Sequence, residues 1–413
     1  MVVVIIGSSI ACKSALETLL PELSGDDRII IVTKDIHLFY SRVMLPNYIA
    51  GELGLEEMYF APKDLLEDTR VNVINGEVKS LDTLSREIML DDGNRISYDK
   101  LLITSGASPA RMNMPGEDLN GVFCLRNLEG AQAIRNWAKK SGKCVVLGGG
   151  LVSLKAAMAV KSLIEDVSVL VSSSKVLSKI ADKTSARWVY DILVSNGIDV
   201  RFNVNIAAFE GDGSGVKNIV LKDGGRIDTD MVIIGKGVRP NMGLVDNTPI
   251  RTDKGILVNP HMQTAVEDVY AAGDVAQVYG CGDEGSGLFT LWPDAALQGR
   301  IAAANMLGAD KRYTGGMGMN SAVFYGVPFI ILGNVRERDT KGCEVYERFD
   351  HGRKVFRKVA VKDGRLTGAV FAGDINYAGM AYWDMRSGRE IETPEKYLTS
   401  KGLNELFSGR EKF

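Results

Sequence analysis

Residues 90–109 read LDDGNRISYDKLLITSGASP, and residues 221–240 read LKDGGRIDTDMVIIGKGVRP. Nine of these 20 positions are identical at a constant offset of 131 residues. Each copy carries a turn (Asp92-Gly93, Asp223-Gly224), a short apolar run (101–103, 231–234), and then Gly-x-x-Pro, at Gly106 to Pro109 and Gly237 to Pro240. A repeat of this kind means one supersecondary unit used twice, and missing it would miscall the fold.

Working outward, both copies also begin alike. The first opens with an apolar strand (2–6), the turn Gly7-Ser8-Ser9, an apolar helix (11–20) and a second strand (29–33). The second has the strand 144–147, the turn Gly148-Gly149-Gly150, a helix over 152–163 and a strand over 167–171. Short apolar runs alternating with helix-length segments indicate βαβ units and a parallel sheet. Period-two patterning at 71–74 and 200–204 predicts small antiparallel strands inside each copy. No third copy follows residue 240. A helix is expected over 294–306, then short strands with turn signals from about residue 315, and an amphipathic helix over 395–407 with a charged tail. The fold class is therefore α/β: two Rossmann-like dinucleotide-binding domains plus a C-terminal α+β domain.

Composition agrees with a folded chain. Hydrophobic residues make 45% and charged residues 24% of the 413, the averages of globular proteins. The 45 glycines amount to ~11%, against a usual ~7%, and imply many tight turns or close backbone approaches to a ligand. Net charge is −3, which supplies no basic footprint for nucleic acid or an anionic membrane. The opening MVVVIIGSS lacks a basic region and a cleavage site, so it reads as a first strand and a cytoplasmic location is expected. Residues 314–335 carry no charge, but five glycines, two asparagines and Pro328 interrupt them, so a loop and a buried strand are expected rather than a membrane span. Cys12, Cys124, Cys144, Cys281 and Cys343 form no C-x-x-C pair, and His37, His261 and His351 are dispersed; neither a zinc site nor a dithiol centre can be assembled locally.

A glycine turn between strand and helix lets backbone N–H groups approach a pyrophosphate at the helix N-terminus. Gly148, Gly150 and Ser153 fill the G-x-G-x-x-G positions of the second module, with serine small enough for close helix–strand packing. Gly7, Ser9 and Cys12 fill them in the first, a pattern that on its own reads more readily as a tight turn than as a dinucleotide site. At the end of the second strand, where a ribose hydroxyl would be held, the first module offers Asp35. The second reads Val171-Ser172-Ser173-Ser174-Lys175, with neither the carboxylate that favours NAD nor the arginine that favours NADP, so that choice stays open.

With residues 264–275, TAVEDVYAAGDV, the chain resembles the pyridine-nucleotide-dependent FAD oxidoreductases, flavoproteins with two dinucleotide-binding domains of glutathione-reductase-like architecture. The segments ITSGASP and IGKGVRP match the two crossovers of that family. The resemblance implies an FAD-binding domain in two parts, 1–109 and 241–312, an NAD(P)-binding domain over 110–240, and a C-terminal interface domain over 313–413. It implies that Gly7, Ser9, Ala11, Asp35, Gly106, Gly273 and Asp274 hold FAD, with Asp274 on its ribityl or phosphate part. The stretches FYSRVMLPNYIAG (39–51) and YTGGMGMNSAVFYGVP (313–328) look like rubredoxin reductases, the flavin part of nitrite reductases and FAD subunits of anaerobic complexes such as phenylglyoxylate dehydrogenase and tungsten aldehyde oxidoreductase. Arg42 would then lie against the FAD pyrophosphate. Trp292 and Pro293 would open a helix beside the flavin's pyrimidine edge. Gly148, Gly150, Ser153, Lys155 and Gly237 would hold NAD(P)H.

The departures from that pattern sharpen the expected activity. No redox cysteine stands near Met44 and no C-x-x-C in the second module, so thiol chemistry is not expected. Lys155, in SLKAA, replaces a carboxylate usual in the family; it reads either as a helix-surface residue or as a cation favouring the reduced flavin. The implied function is transfer of electrons between a nicotinamide and an electron-carrier protein or an iron–sulfur or metalloenzyme subunit, through FAD. Two other readings stay open: a diaphorase or oxidase using small acceptors, and a flavin-binding subunit with a decayed nicotinamide site. The C-terminal domain would provide a docking face, with Tyr377, Tyr382 and Trp383 as aromatics that could equally be core, or a homodimer contact.

Overall fold

The computed structural model describes residues 1–281 and 285–399. Seven α-helices occur among them: α1 (Ile10–Leu19), α2 (Leu45–Ala50), α3 (Leu128–Ala138), α4 (Leu151–Lys161), α5 (Lys183–Ser195), α6 (Trp292–Met306) and α7 (Ala378–Ser387). No helix of the described residues is long and apolar enough to cross a membrane. The chain divides into two compact units. The first comprises Met1–Met44, Leu53–Ala110 and Val238–Met317; the second comprises Leu45–Glu52, Arg111–Gly237 and the residues from Gly318 onward.

The first unit is built on a five-stranded sheet in the order Val269–Ala271, Lys100–Ile103, Val2–Ile6, Arg28–Thr33, Val71–Asn75, parallel throughout. Its central strand, VVVII, is buried from Val3 to Ile6. β-Branched residues suit a pleated strand, and an unbroken apolar run is what a parallel sheet covered on both faces demands. Helices α1 and α6 pack together at a glycine: a Cβ on Gly299 would stand 2.2 Å from the carbonyl oxygen of Ala11.

The second unit repeats this order with the strands Val122–Cys124, Met231–Ile234, Lys143–Leu147, Asp166–Val171 and Asp199–Phe202, again all parallel. In each unit a three-stranded antiparallel sheet precedes the core strand that ends the repeat, Lys100–Ile103 or Met231–Ile234: residues 78–97 in the first, 206–228 in the second. The patterned segments at 71–74 and 200–204 are therefore not antiparallel. They are parallel edge strands, and half-exposure alone gives the alternation, as in Asp199–Phe202, where Asp199 and Arg201 are exposed and Val200 is buried.

From Met319 the second unit adds a five-stranded antiparallel sheet, ordered Met319–Phe324, Val327–Gly333, Arg365–Ala372, Val355–Lys362, Glu344–Asp350. The uncharged stretch 314–335 supplies the first hairpin of this sheet. Among the contacts that tie the sheet to the parallel layer of the same unit, Trp188 of α5 stacks on Phe329 at 5.8 Å and Lys358 pairs with Asp182 at 2.5 Å. Tyr377 is fully buried and joins this core, whereas Trp383 is 66% exposed. In place of a long helix from residue 395 stands a 3₁₀ turn, Pro394–Leu398; the remainder of that expectation lies outside the described residues.

Candidate functional site

In the first unit, the sites of interest gather where the parallel strands end. Gly7 follows Val2–Ile6 with φ +106°, and a Cβ there would lie 2.3 Å from the carbonyl oxygen of Thr104, which closes the neighbouring strand. Only glycine tolerates both the left-handed backbone and that approach. Ser9 occupies the N-cap of α1, yet no side chain caps the helix and no acidic residue stands in its first turn. The positive end of the helix is thus left without an internal anion, as a phosphate-binding turn requires. By contrast, Asn127 caps α3 and Asp182 caps α5 with their own side chains.

Gly273 and Asp274 follow the adjacent strand Val269–Ala271 in a 3₁₀ turn. Gly273 has φ +80°, and Ala11 sits opposite it, 3.5 Å from where a Cβ would be. The turn is held by Gln298 of α6, whose Oε1 accepts the Gly273 N–H at 2.8 Å. Gln298 is 1% exposed and was not foreseen as a site residue; a polar residue on a helix gives no hint in sequence of which turn it faces. Trp292 and Pro293 open α6, which also lacks a side-chain cap. Trp292 meets Phe60 edge-on at 5.0 Å, and Asp294 accepts a hydrogen bond from the Tyr313 hydroxyl at 2.7 Å.

Asp35 stands just beyond Arg28–Thr33, and its carboxylate is engaged within the protein. Oδ2 accepts from Arg42 and from the Tyr40 hydroxyl, each at 3.0 Å, while Oδ1 accepts the His37 N–H at 3.1 Å. Arg42 and Asp35 thus belong to one ion-paired cluster at this strand end. Gly106 has φ +67°, and its carbonyl accepts the Asn241 N–H at 2.9 Å. Asn241 was likewise unforeseen: its Nδ2 donates to Ser105 O at 2.8 Å and its Oδ1 accepts from Ser108 at 2.8 Å.

The second unit reproduces the glycine edge. Gly148 has φ +119°, and a Cβ would stand 2.4 Å from the Gly235 carbonyl oxygen. Gly150, the N-cap of α4, has no described residue within 4 Å of a Cβ, and no side chain caps the helix. Ser153 is buried and donates to Gly235 O at 3.0 Å, so it fastens helix to strand. Gly237 has φ +98°, with no described residue within 4 Å of where a Cβ would be. Lys155 is half-buried; its ammonium donates to Val323 O at 3.1 Å, and burial lowers its pKa. At the second strand's end, Ser172 and Ser174 are exposed, and Lys175 is engaged by Ala181 O at 2.9 Å and Glu337 at 3.3 Å.

Two glycine edges with uncapped helices, at the carboxyl ends of parallel strands, are the place and the chemistry of dinucleotide binding. Residues 1–299 match the family described as pyridine nucleotide-disulphide oxidoreductase. The chain belongs to that family. It is 30% identical over 373 residues to the NADH-dependent phenylglyoxylate dehydrogenase subunit epsilon of Aromatoleum evansii, covering 90% of this chain and 85% of that one. It is 28% identical to the assimilatory nitrate reductase electron transfer subunit of Bacillus subtilis, covering 90% of this chain. The chain spans 47% of that relative's length. A solved ferredoxin reductase for the CYP199A2 system of Rhodopseudomonas palustris shares the fold, with TM-score 0.87, 23% identity and 97% of each chain covered. The disulphide chemistry in the family's description finds no counterpart at Cys12 or Cys144, whose thiols are fully buried and pushed up by that burial.

Proposed function

We propose that this chain is an FAD-dependent NAD(P)H oxidoreductase that exchanges electrons with a rubredoxin-type or iron–sulfur protein or subunit. The observation that carries this reading is the duplicated edge, with one uncapped, glycine-turned helix in each unit. The residues of the first unit fit FAD: the α1 N-terminus after Gly7 would receive its pyrophosphate, with Ser9 and Ala11 in the same turn, and Gly273 and Asp274 would meet its ribityl part. Those of the second unit, Gly148 and Gly150 foremost, would receive the nicotinamide dinucleotide. FAD, when bound, supplies the chemistry that links a two-electron hydride donor to one-electron carriers. The protein's part is to bind and orient, because hydride transfer needs alignment more than acid–base help.

An electron-carrier partner is supported by the names of the relatives, which include an electron transfer subunit and a subunit of a larger dehydrogenase. The exposed Trp383 makes the C-terminal sheet domain a candidate face for that partner or for a homodimer. The thiols of Cys12, Cys124, Cys144 and Cys343 are free, which suits a reducing, cytoplasmic setting. The test is anaerobic titration of the FAD-loaded protein with NADH and with NADPH, followed by addition of an oxidised rubredoxin or ferredoxin. Bleaching of the flavin by at least one nicotinamide, and its reoxidation by the carrier, is expected. Flavin that neither nicotinamide bleaches rejects the reading.

A further inference from the structure

The fully buried positions of α7 are Ala378, Ala381 and Asp384, with Met380, Tyr382 and Met385 partly buried beside them. A helix this short depends on its tertiary contacts, and one of the three buried residues is a carboxylate, 3% exposed, which costs free energy unless it is paired. Its partners come from the segment that follows the helix: Asp384 Oδ2 accepts the Tyr397 hydroxyl, and the Lys396 ammonium stands 3.8 Å away. That segment is in turn bound to the antiparallel sheet. Tyr397 is fully buried in the core that α7 covers, and its carbonyl and that of Thr399 accept hydrogen bonds from Arg357 Nη1. Arg357, buried in the strand Val355–Lys362, also pairs with Asp374 at 2.6 Å and lies 5.1 Å over the ring of Tyr377, the N-cap of α7.

Helix and segment thus complete each other. If residues 389–399 left alone, the Asp384 carboxylate would stay buried without the Tyr397 hydroxyl; if α7 left alone, Tyr397 and Arg357 would lose partners. Stripping a buried charge of its partner is strongly destabilising, so neither part leaves without the other. The sheet need not follow, because its opposite face is secured to α5 through Trp188 on Phe329 and Asp182 on Lys358. We infer that α7 and residues 389–399 form a latch that opens from the sheet as one local unit, with the Tyr397–Asp384 hydrogen bond as its catch. The exposed Trp383 is carried on this latch, so a protein docked on Trp383 binds the closed form and holds it shut. This goes beyond the redox reading and does not rest on it.

Native-state hydrogen exchange of the full FAD-loaded chain, read by mass spectrometry at rising urea, tests this on the wild type before any variant is made. Peptides covering residues 378–387 and 389–399 are expected to share one opening equilibrium, reached at lower urea than that of the strand Val355–Lys362. Tyr397→Phe keeps the ring and removes the catch. Exchange in both segments should then quicken together by roughly 10- to 100-fold, the scale of one hydrogen bond to a buried charge, with the strand Val355–Lys362 unchanged. Adding Asp384→Asn to Tyr397→Phe leaves no charge to strand and should return most of the protection. Wild-type segments that open at different urea concentrations overturn the inference. So does a Tyr397→Phe protein in which neither segment quickens, in which only residues 389–399 quicken, or in which Val355–Lys362 quickens equally. None of these outcomes depends on whether a nicotinamide reduces the flavin.

Discussion

Ser108 and Arg239 lie opposite each other at the centre of an antiparallel ribbon, and each is the other's counterpart in the 131-residue repeat. The flanking pairs, Ala107 with Pro240 and Pro109 with Val238, exchange counterparts in the same way. The end of one copy thus pairs with the end of the other about a local twofold axis, as identical surfaces do in a symmetric dimer. Duplication supplied both strands of the ribbon and their complementarity at once. The ribbon belongs to the first unit, where it carries the chain back from the second repeat.

Asn241, immediately after that ribbon, ties it to the Ser105–Gly106 turn through two side-chain hydrogen bonds and one from its backbone N–H. Asn241→Ala removes the side-chain bonds and leaves Ser105 O and the Ser108 hydroxyl to find other partners. A loss of ~1–3 kcal/mol is expected, read as a lower urea midpoint by circular dichroism, together with weaker retention of FAD on dilution. An unchanged midpoint would show that the ribbon does not depend on this residue.

The glycines of the second unit separate folding from binding. Gly148→Ala places a Cβ 2.4 Å from Gly235 O on a backbone with φ +119°, so it must displace the turn. Both the melting temperature and nicotinamide affinity should fall. The Cβ of Gly150→Ala meets no described protein atom within 4 Å, so the melting temperature should move less than for Gly148→Ala while the dinucleotide is obstructed, with affinity lower by ~10-fold or more. Thermal melts set beside NADH titrations of the two variants check the contrast; parallel losses in both would argue against a ligand at Gly150.

Much of this arrangement was legible in the sequence, and what was not has identifiable physical causes. The repeat at 90–109 and 221–240 revealed two parallel sheets because strand, turn and proline positions are local patterns. Ser153 read correctly as a packing residue because its size alone decides whether α4 approaches the strand. The edge strands at 71–75 and 199–202 were misread as antiparallel because half-exposure produces alternation in either strand direction. Gln298 and Asn241 were missed because their partners are set by tertiary contact: Gln298 meets Gly273 across 25 residues, and Asn241 meets Ser105 across 136. The link between Asp35 and Arg42 was hidden too, since residues seven apart in a loop carry no periodic signal that pairs them.

Asp182 and Lys358, 176 residues apart, form a pair in which both side chains are less than 10% exposed, at 9% and 2% for Lys358 and Asp182. Asp182 also accepts the Ser185 N–H at 2.8 Å as the N-cap of α5. Lys358→Met leaves the carboxylate buried with the cap alone, and a destabilisation of ~3–5 kcal/mol is expected from such an orphaned charge. Asp182→Asn keeps the cap and should cost less than Asp182→Ala, by the ~1 kcal/mol typical of a cap. Urea unfolding of the three variants tests the order; a Lys358→Met protein as stable as wild type would mean the pair contributes nothing.

Tyr98 offers a prediction in the alkaline range. Its ring is 3% exposed, its hydroxyl has no hydrogen-bond partner among the described residues, and burial pushes its pKa up to about 12. An unfolded tyrosine ionises near ~10, so the folded value is the higher one. The contribution is therefore fully present below pH ~10 and is lost as pH rises towards ~12, because the unfolded chain releases its proton first. Tyr98→Phe removes both the ionisation and the unsatisfied hydroxyl. The variant should match or exceed wild-type stability at neutral pH, by up to ~1 kcal/mol, and its stability should fall less steeply than that of wild type between pH ~10 and ~12. Urea midpoints of both proteins across that window decide the matter. Parallel curves would show that Tyr98 ionises in the folded protein as readily as in the unfolded chain, and that its hydroxyl is solvated.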